Sequence, residues 1–343
     1  MNSNLVAPRV SVIVPNFNHA YYLKERLISI LTQTYQNFEL ILLDDASTDD
    51  SLAVIRDCLS GHSHQLVVNE KNSGSTFQQW NRGISLARGE FIWIAESDDV
   101  ADPSLLERLV IALDRSDAVY AYCQSLCIDT YGEVFGYIKG WTDDYTPHLW
   151  ASDFVIDGNF FCVSFMAIKC VIPNASAVLF RRESYINPYT ILPDFQLSGD
   201  YLLWAEMAMG QKVAYVATPL NRYRFHPGTV RMAKRPTYFR ECVACTNHIL
   251  ERTSAWDQPS QLVFLRRHLL ALWLMIGLEP ASPLNWWKYS KAYKLLYRLH
   301  GPLLFFPLLK AFPRSLWHSL VPFWLFISLG STSFLRKLRN RFS

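Results

Sequence analysis

Neither glycine-rich phosphate signature occurs in this chain. G-x-G-x-x-G and G-x-x-x-x-G-K-[ST] are both missing, which disfavours a Rossmann dinucleotide site and a P-loop. Cysteine is sparse, with seven among 343 residues, at 58, 123, 127, 162, 170, 242 and 245. An odd number at open spacing excludes a dense disulfide framework and fits reduced thiols in a cytoplasmic protein. Cys242 and Cys245 form a C-x-x-C with no second pair and no paired histidines, so they read as two helical cysteines near core rather than a zinc or redox centre. The opening MNSNLVAPRVSVIVP has no charged segment leading into an apolar run and a cleavage site, so neither a signal nor a transit peptide is expected. Acid is absent from Pro280 to Ser343, a stretch with ten Lys and Arg. The body before it is therefore net acidic, although the whole chain carries only +3. Half the residues are hydrophobic and 18% charged, which excludes wholesale disorder.

The first part of the chain alternates between two periods. Val10 to Pro15, Glu39 to Leu43, Gln65 to Val68 and Glu90 to Ala95 are short apolar or β-branched runs, the signature of buried strands. Helical spacing lies between them: Tyr22, Leu23, Leu27, Ile30 and Leu31 behind a cap at Asn18, a helix opened by Ser47 and Asp50, and another from about Thr76 to Arg88. Asp102-Pro103 starts a fourth helix. Four alternations predict an α/β fold with a mostly parallel, doubly wound sheet. Later, Ala118 to Ile128 and Glu133 to Ile138 form an expected hairpin, residues 140–170 read as loop, and Ala175 to Phe180 and Val213 to Tyr223 read as strands. A helix starts at Asp200 and stops at Gly210.

Ligands of such sheets bind at the carboxyl ends of the strands. Those ends carry Pro15-Asn16-Phe17-Asn18, Asp44-Asp45 and Glu96-Ser97-Asp98-Asp99. Asp102 already supplies a helix cap, so Asp98 and Asp99 need another reason. Neighbours leaving a strand point to opposite sides: one carboxylate would hold Mg2+ or Mn2+ through hard oxygens and the other would accept from a ribose. Plain solvated acids are the competing reading. A carboxylate at Asp44 or Asp45 would accept the N–H of a base, or simply start a turn.

VSVIVPNFN, LLDDASTDDS, the run NSGSTFQQWNRGISLARGEFIWIAESDD, and SGDYLLW followed by RYRFHPGTV resemble the family-2 glycosyltransferases. The likeness covers about residues 8–232, with the motifs in order. It implies a GT-A catalytic domain over 1–235 and an inverting transfer from a nucleotide-diphosphate sugar, UDP-linked by expectation, to a hydroxyl. Pro15 and Phe17 would line the nucleotide pocket with Asn18 and Asn81. Asp45 would meet the base edge, Asp98 the ribose and metal region, and Asp99 would be the metal ligand. His226 would lie near the metal or diphosphate, and Asp200 would be the general base. Two positions depart from the pattern: Gly199 stands where many relatives have an acid, and Trp80 where many have Arg, with Arg82 after Asn81. These departures are the one support for a non-catalytic nucleotide-sugar-binding subunit. A nucleotidyltransferase would want a basic, Gly-rich first loop, and PNFNHAYY is neither.

The resemblance stops at about residue 236. The remaining 236–343 read as a helical, aromatic and basic extension. Leu262 to Leu278 is helical in period but broken by Arg266, Arg267 and His268, and the 21 uncharged residues between Arg314 and Arg336 make a marginal span. Lys288, Lys291, Lys294 and Arg298 interleave with Trp286 and Trp287, as on an interfacial surface. Attachment to the inner face of the cell membrane and a lipid-linked or cell-surface glycan acceptor are expected, and no nucleic acid, since no such module accompanies the basic tail.

Overall fold

The structure, a computed structural model, describes residues 7–137, 142–143, 148–190, 194–227 and 235–253. All of them fall in a first unit ending at His268. The tail segments singled out above, from Leu262 onward, lie outside the described residues.

Ten strands among the described residues form one sheet. In chain order they are β1 (Val10–Asn16), β2 (Phe38–Asp44), β3 (Gln65–Val68), β4 (Phe91–Ile94), β5 (Val100–Ala101), β6 (Ala118–Ile128), β7 (Val134–Tyr137), β8 (Phe154–Asp157), β9 (Val178–Arg181) and β10 (Lys212–Arg224). The spatial order is β3-β2-β1-β4-β9-β6-β10-β5, with β7 beside β6 and β8 beside β10. The first four strands pair in parallel, as their alternation with helices predicted. Beyond β4 the sheet is mixed: β9 inserts antiparallel between β4 and β6, while β10 runs parallel to β6. The carboxyl ends of β1, β2, β4 and β10 thus share one edge. Winding reverses between β1 and β4, the topological switch point where such sheets bind ligands.

Among the described residues the α-helices are α1 (Ala20–Leu31), α2 (Ser51–Cys58), α3 (Thr76–Leu86), α4 (Leu105–Asp114), α5 (Gly158–Phe161), α6 (Gly199–Ala208) and α7 (Arg235–Arg252). Every residue of β1 is buried, because both faces of this parallel region are covered. Val10, Val12 and Val14 pack with Leu23 and Leu27 of α1. Gly83 of α3 lies against Ile13 and Leu43, on the opposite face. Each fully buried aliphatic side chain contributes roughly 1.5–3 kcal/mol relative to exposure.

Residues 140–170, expected as loop, contain β8, α5 and a π-helical turn, Cys162–Met166. These pieces are too short to show a period, and β8 pairs with the distant β10. The β6–β7 hairpin forms as expected. Gly210, at φ +73°, follows the end of α6. Cys242 and Cys245 are buried on α7, and none of the seven cysteines is in a disulfide. No helix among the described residues is long and apolar enough to cross a membrane.

Candidate active site

The loops after β1 and β2 are tied together. Asn16 Nδ2 donates to Asp44 Oδ2 at 2.9 Å and to Ser47 Oγ at 3.1 Å, and Ser47 N donates to Asp44 Oδ1 at 2.9 Å. Asn18, at φ +55°, accepts from Thr48 N at 2.7 Å and donates its own N–H to Ser47 Oγ. Asn18 and Ser47 are therefore not the helix caps they were expected to be. Asp49 does that work: Oδ2 accepts from Ala20 N at the head of α1, and Oδ1 from Ser51 N at the head of α2. Pro15 is buried in β1, whereas Phe17 stands 44% exposed at the strand's end.

Asp45 is only 4% exposed. Its Oδ1 accepts from Asn69 Nδ2 (2.5 Å), Ser73 N (2.9 Å) and Gln79 Nε2 (2.9 Å), and its Oδ2 from Ser73 Oγ (2.7 Å). Four donors match the acceptor capacity of a carboxylate. The group expected to meet a base edge is engaged by its own chain here and holds the 69–79 segment.

The Asp98–Asp99 pair splits as adjacent residues must. Asp99 is 2% exposed; Oδ1 accepts from Arg224 N at 3.0 Å and Oδ2 from Asn174 Nδ2 at 2.5 Å. Burial, reinforced by the charge of Asp98, raises its pKa above the usual carboxylate range. Asp99 is thus an inward acceptor with both oxygens engaged, and the carboxylate of the pair that meets the two histidines is that of Asp98. Asp98 Oδ2 lies 3.0 Å from His226 Nε2, and one ligand atom each from His19, Asp98 and His226 lie within 4.8 Å of one another. Burial works to raise the Asp98 pKa, but the His226 hydrogen bond and the charges of His19 and His226 outweigh it and leave the carboxyl ionised more readily than usual. Burial lowers the His19 pKa, with the charge of Asp98 opposing it. Of the two expected cations, Mn2+ tolerates imidazole nitrogen beside a carboxylate better than Mg2+, which keeps to oxygen and water.

His19 escaped the sequence reading, although it stands three residues past β1. It is aimed by Ser97, whose Oγ lies 2.8 Å from Nδ1. Arg224, two residues before His226, is 2% exposed and turned inward. Its Nε donates to Asp98 O at 2.7 Å, Nη1 to Asp129 O at 2.9 Å and Nη2 to Glu25 Oε2 at 2.5 Å. It fixes the Asp98 backbone.

Asp200 sits in the first turn of α6, half-buried, with Oδ1 accepting from Tyr201 N at 2.8 Å. Gly199 beside it packs on α3: a Cβ there would lie 2.8 Å from Phe77 Cζ. The departure at Gly199 thus has a packing cause. Trp80 of α3 is buried, and its Nε1 donates to Glu96 Oε1 at 2.9 Å. Asn81 is engaged with the 185–187 segment, donating to Asn187 Oδ1 at 3.2 Å and accepting from the Tyr185 hydroxyl. Like Asp45, this candidate nucleotide contact is committed to its own chain.

The profile of Glycosyl transferase family 2 matches residues 11–185, about half of the chain. The glycosyltransferase GlyG of Streptococcus pneumoniae is 32% identical over 180 residues, covering 52% of this chain and 54% of that one. The chain spans about half to two thirds of the length of the curated relatives GlyG and an uncharacterised Haemophilus influenzae glycosyltransferase. Among solved structures, TarS 1–349 of Staphylococcus aureus superposes with a TM-score of 0.62 at 16% identity, covering 88% of each chain. The mannosyltransferase PcManGT of Pyrobaculum calidifontis, solved with GDP-Man and Mn2+, gives 0.52 at 18% identity, covering 85% of this chain and 82% of that one. The mixed sheet flanked by helices is the GT-A fold expected from the motifs. With a family profile matched over half its length and the motif residues gathered on one sheet edge, the chain belongs to glycosyl transferase family 2.

Proposed function

We propose that the protein is an inverting glycosyltransferase that moves a sugar from a nucleotide-diphosphate sugar to a hydroxyl acceptor. The observation that carries this reading is the His19–Asp98–His226 cluster at the switch point of the sheet, on the edge shared with the exposed ring of Phe17. Phe17 offers a stacking face for a base at the end of β1, and Asp45 acts on the same pocket by fixing the 69–79 segment. His19, Asp98 and His226 would hold a divalent cation, Mn2+ before Mg2+. Bound there, the cation would offset the charge of the departing nucleoside diphosphate. Asp200 would take the acceptor proton as oxygen attacks the anomeric carbon from the face opposite the leaving group. A single base suffices for such a displacement, and the anomeric centre inverts.

UDP is the expected nucleotide. The PcManGT structure contains GDP-Man, so guanosine donors belong in the same screen. A glycan or lipid-linked acceptor at the inner membrane face is proposed from the basic, aromatic stretch after Pro280. Because Gly199 is accounted for by Phe77, it lends nothing to the non-catalytic alternative.

A panel of UDP-GlcNAc, UDP-glucose, UDP-galactose and GDP-mannose with the full-length protein tests the reading. One donor should raise Tm in the presence of Mn2+ and be consumed, releasing nucleotide. Asp200→Asn should keep the Tm rise and lose the turnover. Binding without any turnover in the native protein, across an acceptor panel, would favour the non-catalytic subunit. Flotation with vesicles rich in anionic lipid tests the membrane proposal, and protein remaining in the soluble fraction at low salt would refute it.

A further inference from the structure

Helix α7 begins fifty residues beyond the stretch matched by the family profile, yet it reaches the segment that carries Asp200. Glu241 on α7 is 2% exposed. Its Oε1 accepts from Gln196 N at 2.8 Å, and its Oε2 from Leu197 N at 2.8 Å and Ser198 N at 2.7 Å. These are three consecutive backbone donors on the approach to α6, and the last belongs to Ser198, the residue immediately before its first turn. Asp200 follows two residues later. On the other side, Gly199 lies against the Phe77 ring with no space for a side chain. The base-bearing turn is gripped between α3 and a single carboxylate of α7.

We propose that Glu241 is a positioning residue for Asp200, so that α7 is part of the catalytic machinery rather than of the extension. This rests on the reading of Asp200 as the general base. Three N–H groups in a row need an acceptor with two oxygens aimed at them, and a buried carboxylate is the one side chain that supplies both. An amide offers one oxygen and turns an NH2 group toward the remaining N–H donors. The turn then shifts to escape donor facing donor, and Asp200 moves with it. Displacement of a base by about 1 Å costs on the order of a hundredfold in rate. The His19–Asp98–His226 cluster sits on the loops after β1, β4 and β10, outside the 196–200 segment, so donor binding should change far less than turnover. A second tie between the helices serves as the control. Glu206 of α6 is bonded to His248 and lies 3.6 Å from Arg252 Nε, both on α7, without touching the 196–200 segment.

The test uses the full-length protein and nucleotide release from the fastest donor of UDP-GlcNAc, UDP-glucose, UDP-galactose and GDP-mannose, with water as acceptor. Glu241→Gln should lower kcat at least tenfold with donor KM within twofold of native. Glu241→Asp keeps both oxygens on a shorter stem and should fall between the two. Glu206→Gln should lower Tm and leave kcat unchanged. The proposal is overturned if kcat of Glu241→Gln stays within twofold of native, if donor KM rises in step with the loss of kcat, or if Glu206→Gln loses as much kcat as Glu241→Gln. Failure of both Glu241 variants to fold would make the residue a folding determinant and also overturn it. Full turnover by Asp200→Asn would instead remove the base assignment itself, whatever the Glu241 variants do.

Discussion

The indole N–H of Trp80 is bonded to Glu96 Oε1 at 2.9 Å, joining the middle of α3 to the loop that carries Asp98. Burial, and after it the charge of Asp98, pushes the Glu96 pKa up to about 8, while the indole bond works the other way. Trp80 therefore supplies a donor to Glu96 without adding a cation. Trp80→Phe preserves the ring packing on Phe77 and removes the donor. It should cost about 1–3 kcal/mol, the usual penalty for stranding a buried polar group. Urea unfolding measures this, and a stability equal to native would show that the bond contributes nothing.

Asp98 and Asp99 should separate cleanly by mutation. Asp99→Asn sets an amide against the Arg224 N–H and the Asn174 amide, and should lose about 1–3 kcal/mol of stability. Its Mn2+-dependent rise in Tm should survive. Asp98→Ala should abolish that rise at little cost to the metal-free protein. The reverse pattern, with the Mn2+ response lost in Asp99→Asn and kept in Asp98→Ala, would return the ligand role to Asp99.

The close approach at Gly199 gives a third prediction. Gly199→Ala drives a methyl group to 2.8 Å from Phe77 Cζ, in a ring cluster closed by Trp80 5.1 Å away. Overpacking of this kind costs roughly 1–3 kcal/mol. Phe77→Leu should relieve part of it, so the double mutant should be more stable than the sum of the two single losses. Strict additivity in a chemical-denaturation cycle would show that the two side chains do not compete for space.

The Glu206 tie between α6 and α7 should appear in the acid limb of stability. The His248 hydrogen bond depresses the Glu206 pKa below its ordinary 4.5, with burial opposing it. A depressed folded pKa means the unfolded chain binds the proton more readily. The stabilisation is complete above about pH 4.5 and is lost as pH falls through the lower folded value. The Tm difference between native protein and Glu206→Gln should therefore be constant at neutral pH and shrink below pH 4.5. A difference that persists unchanged into acid would mean that ionised Glu206 is not what holds the helices.

The parallel half of the fold was legible because buried strands leave unbroken apolar runs. VSVIVP and ELILL needed no partner information to be read. The rearrangement beyond β4 was not, since β9 enters by pairings that span the chain and β8 is four residues long. The site divides the same way. That one member of the Asp98–Asp99 pair faces the cleft and the other the core follows from strand geometry. Which one does is decided by Asn174 and Arg224, 75 and 125 residues away from Asp99, and no local pattern carries that. Asn174 also accepts from Asn221 Nδ2 at 3.0 Å and closes the buried network. His19 was visible in NFNHAYY, but its partner Ser97 lies 78 residues on.

The most direct test is an anomalous difference map from crystals of the protein grown with Mn2+ and a nucleoside diphosphate. The account predicts a manganese peak within coordination distance of Asp98 Oδ2 and of His19 and His226, with the diphosphate oxygens completing the shell. A peak bound to Asp99, or none on this edge of the sheet while nucleotide is bound, would contradict it.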